Sequence, residues 1–295
     1  MTYFENSGIG LQKETVEEQN KQQSTNEKEL ILVSSLVLDL IKNDSDQALI
    51  QLSSIRNDVD IVAPILWYST GCLAALLREI ISIYPFLSPP TLTTKQSEKA
   101  CLALSLFQTI ASNQETRTLF LRSSIPLYIY PFLSSSHKSP SFEILRVTSL
   151  GVIASLVKTE EDSFVNFLLS TEIIPLCLHA MEIGGEQEKI ISTFIILKIL
   201  LNENGLTYIC ETYERFLAVS SVIGNMVNYL LEEPSIELLK HIVRCYFRLA
   251  DNSRAREALK QTLPQPLKDG TFIDLIGNDT RILKWLNLLL EELEL

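Results

Sequence analysis

Four apolar stretches of this chain end in similar polar breaks, IASN at Asn113, LVKT at Thr159, LLNE at Glu203 and LADN at Asn252. Successive breaks lie 46, 44 and 49 residues apart. After two of them an apolar stretch leads into Ile125-Pro126-Leu127 and Ile174-Pro175-Leu176, again 49 apart. Proline suits the first turn of a helix, where its missing N–H costs nothing. A period in the forties with two or three helices per unit is the signature of armadillo and HEAT arrays. One such unit cannot bury its own apolar face, whereas a stack of them forms a continuous core and a curved surface.

The local pattern agrees. Thr93 and Gln96 predict a capping box, and Ala100, Ala103, Leu104, Phe107, Ile110 and Ala111 then mark one buried helical stripe. Leu150, Ile153, Ala154 and Val157 repeat that spacing. No segment alternates with period two and no Asn-Gly or Asp-Gly hairpin signal occurs, so no strands are expected. Residues 1 to about 28 are polar and poor in apolar side chains, which predicts a disordered tail. The reading is therefore an all-α, armadillo-like helical repeat solenoid over 29–295, of about six repeats, preceded by that tail.

Net charge is −11, which argues against wholesale electrostatic binding to nucleic acid or anionic membrane. The N-terminus shows no signal-peptide or myristoylation pattern, and no apolar run reaches the roughly 18 residues of a membrane span. The five cysteines are scattered without a CxxC pair, as expected of buried small side chains in a reduced, intracellular compartment. His137, His179 and His241 lie far apart and no HExxH occurs, so no metal is expected. GxSxG, P-loop and kinase motifs are missing too, and the adjacent acids Glu160-Glu161 and Glu291-Glu292 have the look of solvated faces. Neither an enzyme nor a cofactor is expected.

In a stack of this kind the last helix of each unit lines the concave side. Residues off the buried stripe at i, i+4, i+7 and i+11 are Cys101, Ser105, Gln108 and Ser112 in the first such helix, and Ile144, Thr148, Gly151 and Ser155 in the second. Ile191, Ile195, Lys198 and Asn202 follow in the third, and His241, Cys245, Arg248 and Asn252 in the fourth. Together they predict a groove, apolar in the middle, that accepts an amphipathic helix, the competing reading being the solvated faces of ordinary helices. Gly151 supports it, since glycine inside a helix costs about 1 kcal/mol relative to alanine and often marks close approach of another backbone. The segment holding Lys240, His241, Arg244, Arg248, Arg254, Arg256 and Lys260 is cationic. The competing readings are a surface pairing with Glu237, Asp251 and Glu257 or, less favoured, an RNA contact through Lys240, Arg244 and Arg248 within 240–260.

Several long strings carry a resemblance: LWYSTGCLAALLREIISIYPFLSPPTLT (66–93), IPLYIYPFL (125–133), LRVTSLGVIASLVKTEE (145–161), VNFLLSTEIIPLCL (165–178), TYICETYERF (207–216) and LLKHIVRCYFRLADNSRAREALKQTLP (238–264). From about residue 32 to 293 the chain resembles the "required for cell differentiation" family, the armadillo-repeat subunit of the CCR-NOT messenger-RNA deadenylation complex. That resemblance implies a non-catalytic adaptor in translational repression and messenger-RNA decay, cytoplasmic (mRNA-processing bodies included) and nuclear, with self-association as a homodimer left open. It implies a docking helix for the large Not scaffold subunit at Tyr68, Thr70, Ala74 and Ile81. Tyr68 stands where the family commonly has His, and Thr70 where it commonly has an aromatic. A groove for short helical motifs of RNA-binding repressors is implied at Ile144, Thr148, Gly151, Ile191 and Ile195, with Ile144 in place of the common Tyr. Pockets for tryptophans of silencing proteins are implied at Tyr213, Arg215 and Arg254, an aromatic beside arginine being apt for stacking an indole. Taken without the resemblance, Arg215 reads as half of a surface pair with Glu211 or Glu214.

Overall fold

The computed structural model describes residues 27–42, 46–159, 161–277 and 279–294. Most of the expected tail lies outside them, and residues 27 and 28 already belong to the first helix. Seventeen α-helices follow one another with no strand among the described residues. They are α1 (27–42), α2 (Asp46–Ser54), α3 (Val59–Tyr68), α4 (Cys72–Ile81), α5 (Thr94–Ser112), α6 (Gln114–Arg122), α7 (Tyr130–Leu133), α8 (Pro140–Leu156), α9 (Asp162–Leu169), α10 (Ile173–Ile183), α11 (Glu186–Leu201), α12 (Glu203–Glu211), α13 (Tyr213–Glu232), α14 (Ile236–Leu249), α15 (Ser253–Thr262), α16 (Ile273–Ile276) and α17 (Thr280–Glu292). Ile125-Pro126-Leu127 opens a short 3-10 turn rather than an α-helix.

Packing sorts these helices into layers. Helices α2, α5, α8, α11, α14 and α17 stack in that order, each on the next, as a ladder of six. Outside the ladder, α3 packs on α6 and α9 on α12, while α7, α10 and α13 form a second row. Two or three helices per unit and one rung per unit is the armadillo arrangement, and the apolar residues of all units merge into a single core.

The polar breaks seen in the sequence are the joints of this stack. Asn113 ends α5 and its side chain accepts from the N–H groups of Glu115 and Thr116, capping α6. Asn202 does the same between α11 and α12, and Asn252 between α14 and α15. Asparagine suits the role because its short carbonyl reaches the first free N–H groups of a helix. The amide's other end is also engaged. Asn113 Nδ2 donates to Asp60 at 3.2 Å, and Asn202 Nδ2 to Asp162 at 2.6 Å, each on the outer helix of the preceding unit. At the α8–α9 joint the corresponding residue is Glu161, which makes no side-chain cap. The capping box predicted at Thr93 and Gln96 is present at the start of α5.

Charges cross the ladder at one buried point. Arg146 of α8 and Glu188 of α11 are 2% and 0% exposed and meet at 2.5 Å. Arg146 also donates to the carbonyls of Ser135 and His137, and Glu188 accepts from the Gly185 N–H, so neither ion depends on the other alone.

Candidate functional site

Each interior rung is covered by a neighbour on either side and by outer helices behind, which leaves one stripe open on the ladder's inner face. On α8 that stripe is Ile144, Val147, Thr148, Gly151 and Ala154, with Ile144 48% exposed. On α11 it is Ile191, Phe194, Lys198 and Leu201. On α14 it is Glu237, Lys240, Arg244, Phe247 and Arg248.

Four of the expected groove residues, Ile144, Thr148, Gly151 and Ile191, therefore face the opening. Ile195 does not: it is fully buried, and the predicted stripe on α11 is corrected from Ile191–Ile195 to Ile191–Phe194. Ser155, His241 and Cys245 are likewise buried. The reason is geometric. Ile191 lies at one edge of the opening on α11, so the i+4 step to Ile195 turns into the core, while the i+3 step to Phe194 turns into the opening, where Lys198 also lies. Phe194, Phe247 and Trp285 were missed because large aromatics at helical spacing resemble core. Only the position of Phe194 three residues after Ile191 and four before Lys198 distinguishes it.

Gly151 lies near the centre of the groove. An added Cβ would meet the Gln108 amide of α5 at 3.4 Å, an ordinary contact with a flexible side chain, and no backbone of a neighbouring helix. The close approach expected at this glycine is thus not made by any part of the described chain.

Toward α14 the surface acquires rings and cations. Arg244 lies over the Trp285 ring at 4.8 Å, Lys198 over Phe194 at 5.9 Å, and Phe194 packs against His241 with centroids 5.6 Å apart. Burial, helped by the neighbouring Lys240 and Arg244 cations, pushes His241 down to about 4. It sits neutral beneath the groove, and its Nδ1 has no partner among the described residues.

Three of the other four cations of the segment, Arg248, Arg256 and Lys260, are paired; of the partners expected, Asp251 and Glu257 are used and Glu237 is not. Arg248 meets Glu203 and Asp251, each at 2.5 Å, and donates to the Leu200 carbonyl. Arg256 meets Glu292, and Lys260 meets Glu257 and Glu294. Arg248 is accordingly a poor phosphate ligand, while Lys240 and Arg244 stay on the inner stripe.

On the outer side, Tyr68, Thr70, Ala74 and Ile81 are all exposed, but they do not share one helix. Tyr68 ends α3, Thr70 is in the turn, and Ala74 and Ile81 are on α4, which leaves α3 at 90°. Gly71 makes that corner with φ +94°, a conformation other residues rarely adopt. Tyr213 opens α13 and is 66% exposed. Arg215, two residues on in the same helix, pairs with Glu211 at 2.7 Å and stacks on Tyr208 at 3.9 Å, so its aromatic companion within the chain is Tyr208. Arg254 is exposed in the first turn of α15.

No group of three or more His, Cys, Asp or Glu side chains among the described residues is placed to hold a metal ion. Four of the five cysteines are buried, Cys101 half-buried, and all five are free thiols. No single described helix is long and apolar enough to cross a membrane.

Comparison with known proteins gives the same architecture and a family. Two designed armadillo repeat proteins superpose with TM-scores of 0.65 and 0.62 at 16% and 17% identity, each over 88% of this chain and 99% of theirs; the second was solved in complex with the peptide (KR)4. Among natural proteins, Cell differentiation protein rcd1 of Schizosaccharomyces pombe is 52% identical over 260 residues, which is 88% of this chain and 92% of that one. Protein CAF40 of Saccharomyces cerevisiae is 47% identical over 235 residues, 79% of this chain and 63% of its own length. The Cell differentiation family, Rcd1-like, matches residues 36–293, and the chain belongs to that family.

Proposed function

We propose that this protein is a non-catalytic adaptor of the CCR-NOT messenger-RNA deadenylation complex, and that its inner groove captures short amphipathic helices of regulatory proteins. The observation that carries the reading is Gly151. Glycine in a helix interior costs about 1 kcal/mol relative to alanine, yet at Gly151 nothing in the described chain needs the missing Cβ except a movable glutamine. An incoming backbone gives that glycine its use, between the apolar side chains of Ile144, Ile191 and Phe194.

In this reading the exposed corner of Tyr68, Thr70, Ala74 and Ile81 receives the large Not scaffold subunit, and Tyr213, Arg215 and Arg254 receive tryptophan-bearing segments of silencing proteins. The protein then works in the cytoplasm, in mRNA-processing bodies, and in the nucleus. Membership of the Rcd1-like family and the solenoid architecture support it.

The test is a pair of variants in affinity purification from the protein's own cells. Gly151→Trp is expected to lose regulator motifs while keeping the scaffold, with a melting temperature close to wild type. Ala74→Tyr with Ile81→Tyr is expected to lose the scaffold and keep the motifs. Retention of both classes of partner by both variants refutes the assignment.

A further inference from the structure

The inner face changes character along its length. Over α8 and α11 it presents Ile144, Gly151, Ala154, Ile191 and Phe194 with one cation, Lys198, and over α14, one turn past Glu237, it presents Lys240 and Arg244. These two cations are one helical turn apart, where like charges repel by a few tenths of a kcal/mol at about 6 Å. Among the described residues neither has a carboxylate within salt-bridge reach, in contrast to Arg248, Arg256 and Lys260 around them. Arg244 lies over the Trp285 ring, 4.8 Å from its centroid, a contact that positions the guanidinium without neutralising it. In a chain of net charge −11, with Arg248, Arg256 and Lys260 each matched to an acid, two unmatched cations side by side on the open face call for an anion from outside.

We infer that the groove's occupant is an amphipathic peptide helix that lays its apolar side chains over α8 and α11 and presents Asp or Glu side chains to Lys240 and Arg244, so that charge decides which way round it docks. The inference rests on the peptide-groove reading above and adds the chemistry and polarity of the ligand. Adjacent rungs of packed helices lie about 10 Å apart. A helix laid across two such steps, from Gly151 to Arg244, spans roughly 20 Å or about 13 residues. The acidic side chains are therefore expected about that far along the peptide from the residue seated on Gly151. A nucleic acid suits this surface less well. It would leave Ile144, Ile191 and Phe194 without apolar partners, and its phosphates would lie beside Glu203, Glu237 and Asp251.

The experiment uses fluorescein-labelled designed helices of about 20 residues that share one apolar stripe and end in a run of Glu, of Gln or of Lys. Binding is read by fluorescence anisotropy against wild type, Lys240→Glu/Arg244→Glu and Gly151→Trp. The Glu-ended peptide is expected to bind wild type roughly tenfold more tightly than the Gln-ended one. The double variant is expected to reverse that order in favour of the Lys-ended peptide, and Gly151→Trp to abolish binding of all. Equal binding of the three peptides to wild type, still lost in Gly151→Trp, overturns the charge inference and leaves the groove standing. Failure of every peptide, or binding indifferent to Gly151→Trp, overturns both. Displacement of the Glu-ended peptide by single-stranded oligouridine, from wild type but not from the double variant, assigns the cations to nucleic acid and overturns the inference as well. Lys240→Gln alone, which removes a charge without touching the Trp285 stack, is expected to halve the Glu preference or better and so guards against a folding defect in the double variant.

Discussion

Arg146 on α8 and Arg248 on α14 occupy comparable places in the stack. Each joins its rung to an acid outside its own helix, Glu188 for the first and Glu203 for the second, and each also holds backbone carbonyls of a neighbouring segment. They differ in access to water. Arg146 is 2% exposed and its partner fully buried, whereas Arg248 is 16% exposed and Glu203 is 83% exposed. In the first case removing one ion strands the other in a low-dielectric core. In the second, water and salt replace what is lost. The contrast teaches that the centre of the ladder depends on a matched charge, while its C-terminal end carries charges that can be rearranged.

The largest effect should come from breaking the buried pair. Glu188→Ala is expected to cost about 3–5 kcal/mol in chemical denaturation, from an uncompensated Arg146 and a lost bond to the Gly185 N–H. A cost below that of an ordinary surface change would mean that water reaches Arg146 and that the two regions are alike.

Acid should produce the next effect. His241 is held neutral with its value lowered from 6.5 to about 4, so folding disfavours its protonated form. A group shifted in this direction contributes its full stability above the unfolded value, and the contribution is lost as pH falls from about 6.5 toward about 4. Roughly 3 kcal/mol is at stake over that window. Thermal melts of wild type and His241→Phe should converge as the solution is acidified, with the variant's profile the flatter. Parallel profiles would show that His241 is not what titrates.

Arg248→Ala should have the smallest effect, under about 1 kcal/mol, and should shrink further in high salt. A loss comparable to that of Glu188→Ala would erase the distinction drawn between the rungs.

Much of this architecture is legible from residue patterns because its elements are local. The 3.6-residue stripes of α5 and α8, the capping box at Thr93 and the polar joints at Asn113 and Asn252 involve neighbours in sequence, and periodicity reads such neighbours well. The site was harder. Thr148 and Gly151 stand out because small side chains interrupt an apolar rung, but Ile195 and Phe194 exchange roles according to how far two neighbouring rungs wrap around α11. That is a tertiary property. The Arg146–Glu188 pair spans 42 residues and looks, in sequence, like any two charges on separate helices. Likewise the aromatic beneath Arg215 is Tyr208 from the preceding helix rather than the adjacent-looking Tyr213.

The asparagine joints have a mechanical consequence. At Asn113 and Asn202 a single amide both caps the next helix and reaches an acid of the preceding unit, with a bend of 99° between α11 and α12. At the joint after α8 the capping position is Glu161, which makes no side-chain cap, and the bond across units is instead Arg117 Nη1 donating to the Thr159 hydroxyl at 2.8 Å. At the two asparagine joints one side chain thus starts a helix and seats its unit on the one before, so losing either amide loosens a cap and a unit-to-unit bond together.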